Sequence, residues 1–353
     1  MLKLEWKKYK LNFKQAAGTS RGILKSKNTY FLKIWDDAVP QVFGIGECNL
    51  FRGLSYDDRV GYEAVLNKLV VSPKFYLRNL SSELLEWPSI RFGLEMAFLD
   101  FIKGGKRVLF SNNFTQGLNG IPINGLIWMG EKHFMKEQIE KKIDQNFHCL
   151  KLKIGAIDFD EELDLLKSIR SLFSSDVLEL RVDANGAFKA DEALDKLRAL
   201  EKYQIHSIEQ PILQQQIDQM AQLCAKTPIP IALDEELIGV LASNAKEKLL
   251  DEIRPQYIIL KPALLGGFAA SDEWIRLAEK RSIPWWITSA LESNIGLNAI
   301  AQWTFSLSNT NYQGLGTGQL FSNNIESPLQ IKEARLWHLS DINWKLDTLK
   351  WQL

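Results

Sequence analysis

Five charged side chains recur at a regular spacing along the middle of the chain, each close to the end of a short apolar run. In chain order they are Lys153, Asp183, Glu209, Asp234 and Lys261. Consecutive members are 25 to 30 residues apart, an interval that holds one strand, one loop and one crossover helix. Because parallel strands of a barrel end at one rim, we expect the five side chains to face one another across that rim.

Three of the five side chains are carboxylates on successive predicted strands. Asp183, Glu209 and Asp234 would each offer an oxygen ligand, and Mg²⁺ prefers oxygen ligands while it keeps part of its water shell. Taken singly, each residue also fits a structural role as a turn former, an ion-pair partner or a helix cap. Their shared position at strand ends favours a metal site, with Mg²⁺ as the expected ion and Mn²⁺ as the alternative.

Lysines flank the predicted metal site. Lys151 and Lys153 are two residues apart in KLKIG, so they point to the same face of a strand. We expect each to lower the pKa of the other by charge repulsion, which would make Lys153 a general base at neutral pH. Lys261 is expected to face Lys153 across the rim. Simple neutralisation of the carboxylates is the structural alternative, and it fits Lys151 better than the other two.

This set of groups fits one reaction class. A cation bound to a substrate carboxylate stabilises the enediolate that forms when a base removes the proton α to that carboxylate. The expected partner is therefore a small-molecule carboxylate.

The elements around these residues predict two domains. A chain of 353 residues accommodates a barrel of typical size and about 100 residues more. Residues 1–115 lack the barrel spacing, and their alternating and helical patterns predict an α+β capping domain. Residues 116–325 predict a modified (β/α)8 TIM-type barrel of (β/α)7β type, whose weakest strand falls within 312–321. The tail, 326–353, is expected to pack back on the capping domain.

Composition excludes several classes of protein. The 43 basic and 43 acidic side chains cancel, so no overall field favours nucleic acid or an anionic membrane. The three cysteines, Cys48, Cys149 and Cys224, have no metal-ligand spacing and predict reduced thiols in a cytoplasmic protein. No apolar run is long enough to span a bilayer, and the first ten residues lack the apolar core of a signal peptide. A homo-oligomer is left open.

The strand-end motifs resemble those of the enolase superfamily, in its muconate-lactonising subgroup. The subgroup's motifs K-x-K, D-x-N, E-Q-P, D-E and K-x are matched, in order, by Lys151-Leu152-Lys153, Asp183-Ala184-Asn185, Glu209-Gln210-Pro211, Asp234-Glu235 and Lys261-Pro262. The resemblance covers nearly the whole chain, because that family also carries an α+β capping domain before its barrel.

Within the subgroup the chain is most similar to the o-succinylbenzoate synthases. GIGECNLFRGLS (44–55) resembles their cap loop, with Leu50-Phe51 where a Pro-Leu pair is common, and TSALESNIGL (288–297) resembles their seventh-strand segment. The resemblance implies a Mg²⁺-dependent syn-dehydration of 2-succinyl-6-hydroxy-2,4-cyclohexadiene-1-carboxylate in menaquinone synthesis, a lyase reaction.

The resemblance also implies a role for each site residue. Lys153 would abstract the α-proton and return it to the leaving hydroxyl, Lys261 would stabilise the anion, and Lys151 would hold the pKa of Lys153 low. Asn185 and Glu235 would orient ligands and lysines.

Three further residues are candidates to meet the substrate's carboxylate or succinyl oxygen: Ser289, Ser293 and Asn294. A polar loop before a helix is an equally good interpretation of Ser293 and Asn294. The small, polar segment 14–22 is expected to form a lid that excludes water, although an ordinary hairpin loop would have the same composition.

Several alternatives stay open at this level. An N-succinylamino-acid racemase or a dipeptide epimerase on the same scaffold would use Lys153 and Lys261 as two bases, but 312–321 lacks the acid that the epimerases use. Muconate cycloisomerisation fits the segment ALESN less well. A Schiff-base aldolase with Lys261 as nucleophile would not need three carboxylates, and a non-catalytic barrel would not need five intact site residues.

Overall fold

The N-terminal part of the chain is an antiparallel sheet covered by helices. The computed structural model describes residues 1–19 and 22–351. Its first sheet has the order β1 (Leu2–Thr19), β2 (Gly22–Asp36) and β3 (Phe43–Cys48). Four helices follow: α1 (Tyr62–Val71), α2 (Pro73–Arg78), α3 (Leu80–Glu83) and α4 (Pro88–Ile102). The predicted α+β architecture of this part is confirmed.

Helix α4 lies directly on strand β3 because two glycines remove the side chains between them. A Cβ at Gly44 would lie 1.9 Å from the carbonyl oxygen of Ala97, and one at Gly46 would lie 1.9 Å from that of Gly93. Any side chain at either position would push the helix off the sheet. The loop after β3 reaches the barrel, where Asn49 Nδ2 donates to the carbonyl oxygen of Ala290 at 2.9 Å.

The second part of the chain is a parallel barrel. After a two-residue strand β4 (Ile121–Pro122), the barrel strands are β5 (Gly125–Ile127), β6 (Cys149–Lys153), β7 (Glu179–Asp183), β8 (Ser207–Glu209), β9 (Ile231–Leu233), β10 (Tyr257–Leu260) and β11 (Trp285–Ile287). They pair in chain order, each parallel to the next. Strand β4 is not part of this barrel sheet, because it belongs to a separate sheet near the chain end.

Helices connect the strands on the outside. They are α5 (Lys132–Asp144), α6 (Phe159–Leu172), α7 (Ala190–Glu201), α8 (Ile217–Lys226), α9 (Ser243–Ile253), α10 (Pro262–Leu265), α11 (Gly267–Glu279) and α12 (Asn294–Ser306). The outward-facing residues of the strands join the main apolar core; Leu150 and Leu152 of β6, for example, are buried there. Lys151 and Lys153 consequently point into the barrel.

A short segment closes the barrel in place of a regular eighth strand. Gln313 forms a parallel bridge with Ile123, and Gly314 forms one with Thr288. The amide of Gly314 donates to the carbonyl oxygen of Ile287 at 2.8 Å. The segment lies within 312–321, where the sequence placed its weakest strand, and the (β/α)7β barrel is confirmed.

The chain end contacts both parts of the molecule. Strands β12 (Leu329–Lys332) and β13 (Arg335–His338) pair with each other, and β13 pairs with β4. On the N-terminal sheet, the Lys7 ammonium donates to the carbonyl oxygen of Lys350 at 3.0 Å. The domain boundaries at 115/116 and 325/326 remain predictions.

Two further predictions concern a lid near the N-terminus and membrane-spanning segments. The predicted lid at 14–22 includes residues 20 and 21, which lie outside the described residues. Within the described ranges, no helix is long and apolar enough to cross a membrane.

Candidate active site

The five regularly spaced residues lie together at the carboxyl ends of the barrel strands. In the strand register, Lys153 is paired with Asp183, and Asp183 is paired with Glu209. Asp234 directly follows β9, and Lys261 directly follows β10. Adjacent strands therefore present their last side chains to one common space.

Ammonium and carboxylate groups alternate across this space. Asp183 Oδ2 lies 2.8 Å from both Lys151 Nζ and Lys153 Nζ. Lys151 also contacts Glu209, and Lys261 contacts Asp234 and lies 3.6 Å from Glu209 Oε1. All three carboxylates are almost fully buried. Buried charges are costly unless they are paired, so the lysines stabilise the carboxylates in this arrangement.

The pKa of Lys151 is raised, which contradicts the expected lowering. Burial by itself lowers the pKa of this ammonium, but attraction to Asp183 and Glu209 outweighs burial. The pKa of Lys261 is raised well above its usual range for the same reason, chiefly through Asp234. The expectation failed because it counted the neighbouring lysine and not the carboxylates of the next strands.

Asn185 forms hydrogen bonds with both Lys153, the candidate base, and Glu235. Its Oδ1 accepts a hydrogen bond from Lys153 Nζ at 2.7 Å, and its Nδ2 donates to Glu235 Oε1 at 3.0 Å. Its backbone amide donates to Asp183 Oδ1 at 3.0 Å. Asn185 has a φ of 45°, a left-handed conformation that Asn adopts more readily than most residues. The D-x-N motif thus orients both Lys153 and Asp183.

The three site lysines and Glu235 line one cavity. It holds about 750 Å³ of space free of protein atoms, part of it open to solvent. Its polar lining includes Lys151, Lys153, Asn185, Glu235 and Lys261, and its apolar lining includes Phe51, Leu54, Leu126, Trp128, Ala290 and Leu291. Phe51 and Leu54 belong to the predicted cap loop. The cavity suits a small anion with an apolar body.

The serine candidates divide into two groups. Ser289 lines the cavity, where its hydroxyl is 2.7 Å from the Thr317 hydroxyl. Ser293 and Asn294 are not among the described residues that line it. The Ser293 hydroxyl donates to Glu47 Oε2 at 2.6 Å and caps α12, while Asn294 Nδ2 donates to the carbonyl oxygen of Ile325 at 2.6 Å. These contacts fit the alternative interpretation of a polar loop before a helix, and a role in substrate binding stays a prediction for both residues.

Several lining residues were not among the sequence candidates. They include Asn124, Trp128, Thr288 and Thr317. Trp128 directly follows β5 and Thr288 directly follows β11, so the strand-end rule applied to every predicted strand would have found both. Thr317 lies in the irregular closing segment, where no periodicity points to it.

The oxygen atoms of Asp183, Glu209 and Asp234 are suitable ligands for a hard divalent cation. In this structure, however, lysine ammonium groups contact all three carboxylates. In the part of the chain that the structure describes, no three potential ligand side chains converge as they would around one ion. Glu209 Oε1 is nevertheless buried and accepts no hydrogen bond from a described residue. Three buried carboxylates on adjacent strand ends form an oxygen donor set, so Asp183, Glu209 and Asp234 are the residues that would hold such a cation.

Comparison with known proteins agrees with this geometry. Residues 134–339 match the family described as Enolase C-terminal domain-like. An o-succinylbenzoate synthase of Desulfotalea psychrophila is 48% identical over 94% of this chain and 97% of that protein. The crystal structure of MenC from the same organism has a TM-score of 0.84 at 44% identity, covering 95% of this chain and 99% of that one. An L-Ala-D/L-Glu epimerase of Francisella tularensis subsp. novicida is 28% identical over 61% of this chain and 60% of that protein.

Proposed function

The chain belongs to the enolase superfamily, and within it to the o-succinylbenzoate synthase family; we propose that it is a lyase that dehydrates 2-succinyl-6-hydroxy-2,4-cyclohexadiene-1-carboxylate to o-succinylbenzoate in menaquinone synthesis. The observation that carries the proposal is the position of Lys153, which lines an apolar-walled cavity beside three buried carboxylates. The chain is 48% identical to the D. psychrophila enzyme over 94% of its length, which supports the same reaction.

Lys153 is the proposed base. Its ammonium is held at 2.8 Å by Asp183 Oδ2 and at 2.7 Å by Asn185 Oδ1. A single amine in this position would take the proton α to the carboxylate and then deliver it to the leaving hydroxyl. Because one group serves both steps, proton and hydroxyl leave from the same face of the ring, which is a syn-elimination.

Lys261 is proposed to stabilise negative charge rather than to exchange protons. It lines the same cavity as Lys153. The Asp234 and Glu209 carboxylates raise its pKa, which favours its protonated form. A fixed positive charge at this point would stabilise the anion that develops on the substrate.

The cofactor proposed for this site is Mg²⁺, on which enolase-superfamily members generally depend, with Mn²⁺ as the alternative. Asp183, Glu209 and Asp234 would hold the ion, which when bound neutralises negative charge on the substrate carboxylate. Lys151 contacts Asp183 and Glu209 and keeps these two carboxylates in place. Asn185 accepts a hydrogen bond from Lys153 and donates one to Glu235, so the two residues would orient the base together.

The apolar side of the cavity is proposed to receive the substrate ring. Phe51 and Leu54 from the cap loop line this space together with Trp128 and Leu291 from the barrel loops, and the four form one apolar cluster. Ser289 remains the candidate for a succinyl or carboxylate oxygen, since its hydroxyl lies at the same cavity. Exclusion of water by these walls would strengthen the charge interactions within.

A second candidate is an N-succinylamino-acid racemase on the same scaffold. Lys153 and Lys261 line one cavity, which a two-base racemisation requires. The synthase relative is matched over 94% of this chain, whereas the racemases among the relatives are matched over 50% and 45% of it, which favours dehydration. A cytoplasmic location is proposed as well, because the three cysteines are buried and free, as in a reducing compartment.

A spectrophotometric assay tests the proposal. Protein, Mg²⁺ and the cyclohexadiene substrate are mixed, and loss of the diene absorbance is followed. We expect rapid loss that EDTA and Lys153→Ala each abolish, while Lys167→Ala, an exposed lysine on α6, leaves the rate unchanged. A persistent diene together with α-proton exchange of N-succinylamino acids in deuterated water would instead establish the racemase.

A further inference from the structure

A buried carboxylate lies directly behind the turn that follows Lys153. Glu162 is in the first turn of α6 and is 2% exposed. Its Oε1 accepts hydrogen bonds from the backbone amides of Gly155 at 2.6 Å and Ala156 at 3.3 Å. Its Oε2 is buried and has no hydrogen-bond partner among the described residues. No step of the proposed reaction uses this residue.

The turn after β6 has the shape that a carboxylate fits. Gly155 has a φ of 91°, in the left-handed region, and successive amides in such a turn converge to form an anion-binding concavity. An apolar side chain at position 162 would leave these two amides without their carboxylate acceptor, which would loosen the turn. Burial raises the pKa of Glu162 to about 7, against the opposing effects of the amides and of Lys196.

The Gly155–Ala156 turn also packs against the segment at the end of β7. Asp183 and Asn185 of that segment accept hydrogen bonds from Lys153. The amide of Ile154 donates to the carbonyl oxygen of Asp183 at 2.9 Å. A Cβ on Gly155 would lie 2.4 Å from the Cβ of Ala187, so the two loops touch at this glycine. A shift of the turn would therefore move Lys153 relative to Asp183 and Asn185, which accept its hydrogen bonds.

We propose that Glu162 is a positioning residue for Lys153: its carboxylate fixes the Gly155–Ala156 turn and thereby holds the Lys153 amine at its contacts with Asp183 and Asn185. Glu162 does not touch the substrate. The inference rests on the proposed role of Lys153 as the base, and it adds a residue outside the cavity to the machinery of proton transfer.

The kinetic test compares Glu162→Ala with Glu161→Ala, which removes an exposed carboxylate from the same helical turn. We expect Glu162→Ala to lower kcat about 10- to 100-fold with KM within about twofold, because a misplaced base slows proton removal without weakening binding. With substrate deuterated at the α carbon, the isotope effect on kcat should increase only in this variant. Formate, which fits the vacated concavity, should restore part of kcat, and Glu162→Gln should keep most of it because an oxygen acceptor remains.

A purely structural role predicts a different pattern. In that case Glu162→Ala would lower the melting temperature while kcat per folded molecule, the isotope effect and the response to formate match those of Glu161→Ala, and the inference would be wrong. A wild-type protein that does not dehydrate the diene would refute the proposed function instead. A crystal structure of Glu162→Ala decides the positioning claim in either case: Lys153 Nζ displaced from Asp183 Oδ2 supports it, and an unchanged distance overturns it.

Discussion

Glu47 of strand β3 and Ser293 at the start of helix α12 are joined by two hydrogen bonds across the junction of the N-terminal sheet and the barrel. The Ser293 hydroxyl donates to Glu47 Oε2 at 2.6 Å, and the Ser293 amide donates to Oε1 at 3.0 Å. The same carboxylate accepts hydrogen bonds from the Thr29 hydroxyl at 2.8 Å and the Gly296 amide at 2.9 Å. One buried side chain thus ties the cap-loop strand to the loop that carries Leu291.

Ser293→Ala should therefore lower stability without affecting substrate binding. It removes a helix cap and a hydrogen bond to a buried charge, so we expect the free energy of unfolding to fall by about 1–2 kcal/mol. Urea denaturation measures the loss, with the exposed Ser175→Ala as control. KM for the diene should stay unchanged; a raised KM at unchanged stability would show that the hydroxyl meets the substrate after all.

Lys151→Met should make stability depend more strongly on Mg²⁺. Without the ammonium, the buried carboxylates of Asp183 and Glu209 lose a partner that each contacts. We expect a loss of about 3–5 kcal/mol in EDTA, and a gain in melting temperature on adding Mg²⁺ that exceeds the wild-type gain. Thermal melts with and without Mg²⁺ measure both quantities. Equal gains in the two proteins would mean that the ion does not use these carboxylates.

Asp57 should make folding less favourable as pH rises toward neutrality. Burial raises its pKa from 3.8 to about 6, although the Ser89 hydroxyl and amide donate to it at 2.6 and 2.9 Å. The folded state then binds the proton more tightly than the unfolded state, so this contribution to stability is complete below pH 3.8 and is lost as pH rises through about 6.

The measurement compares the wild type with Asp57→Asn in urea at several pH values. Two pKa units correspond to roughly 3 kcal/mol, so the stability of Asp57→Asn relative to the wild type should rise by about that amount between pH 4 and 7. Asp176→Asn, at an exposed position, should show no such trend. A difference that does not vary with pH would mean that Asp57 is ionised normally in the fold.

Gly155→Ala should be more damaging than Gly104→Ala, although both glycines have similar left-handed backbones. The φ angles are 91° and 93°, but a Cβ at Gly155 meets Ala187 at 2.4 Å while one at Gly104 meets nothing within 4 Å. The shared backbone cost is about 1 kcal/mol; overpacking should add about 1–3 kcal/mol at Gly155 alone. Urea denaturation of both variants separates the two contributions, and equal losses would show that the two loops do not touch.

The barrel was predictable because its pattern is local. A strand and its crossover helix take a nearly constant number of residues, so the interval between strand ends could be read directly from the chain. Lys153, Asp183, Glu209, Asp234 and Lys261 were all found in this way, and they lie at one rim. Irregular pieces carry no such period, which explains why the two-residue strand β4 and its separate sheet were not predicted.

Properties that depend on distances between strands were predicted less well. The sequence shows that Lys151 is two residues from Lys153, and this suggested a lowered pKa. The fold places Lys151 against Asp183 and Glu209, and these contacts raise its pKa instead. Likewise, Ser293 and Asn294 stand in a motif beside the cavity, but their side chains turn toward Glu47 and Ile325.

The amino-acid sequence by itself determined the order of strands and helices and the residue types at each strand end, because the side-chain periods of 2 and 3.6 and the length of one β/α unit are properties of adjacent residues. The tertiary structure decided which charge neutralises which, how Gln313 and Gly314 close the barrel, and how Phe51 and Leu54 reach the cavity. Those outcomes depend on distances between residues far apart in the chain, and such distances are defined only once the apolar faces have packed together.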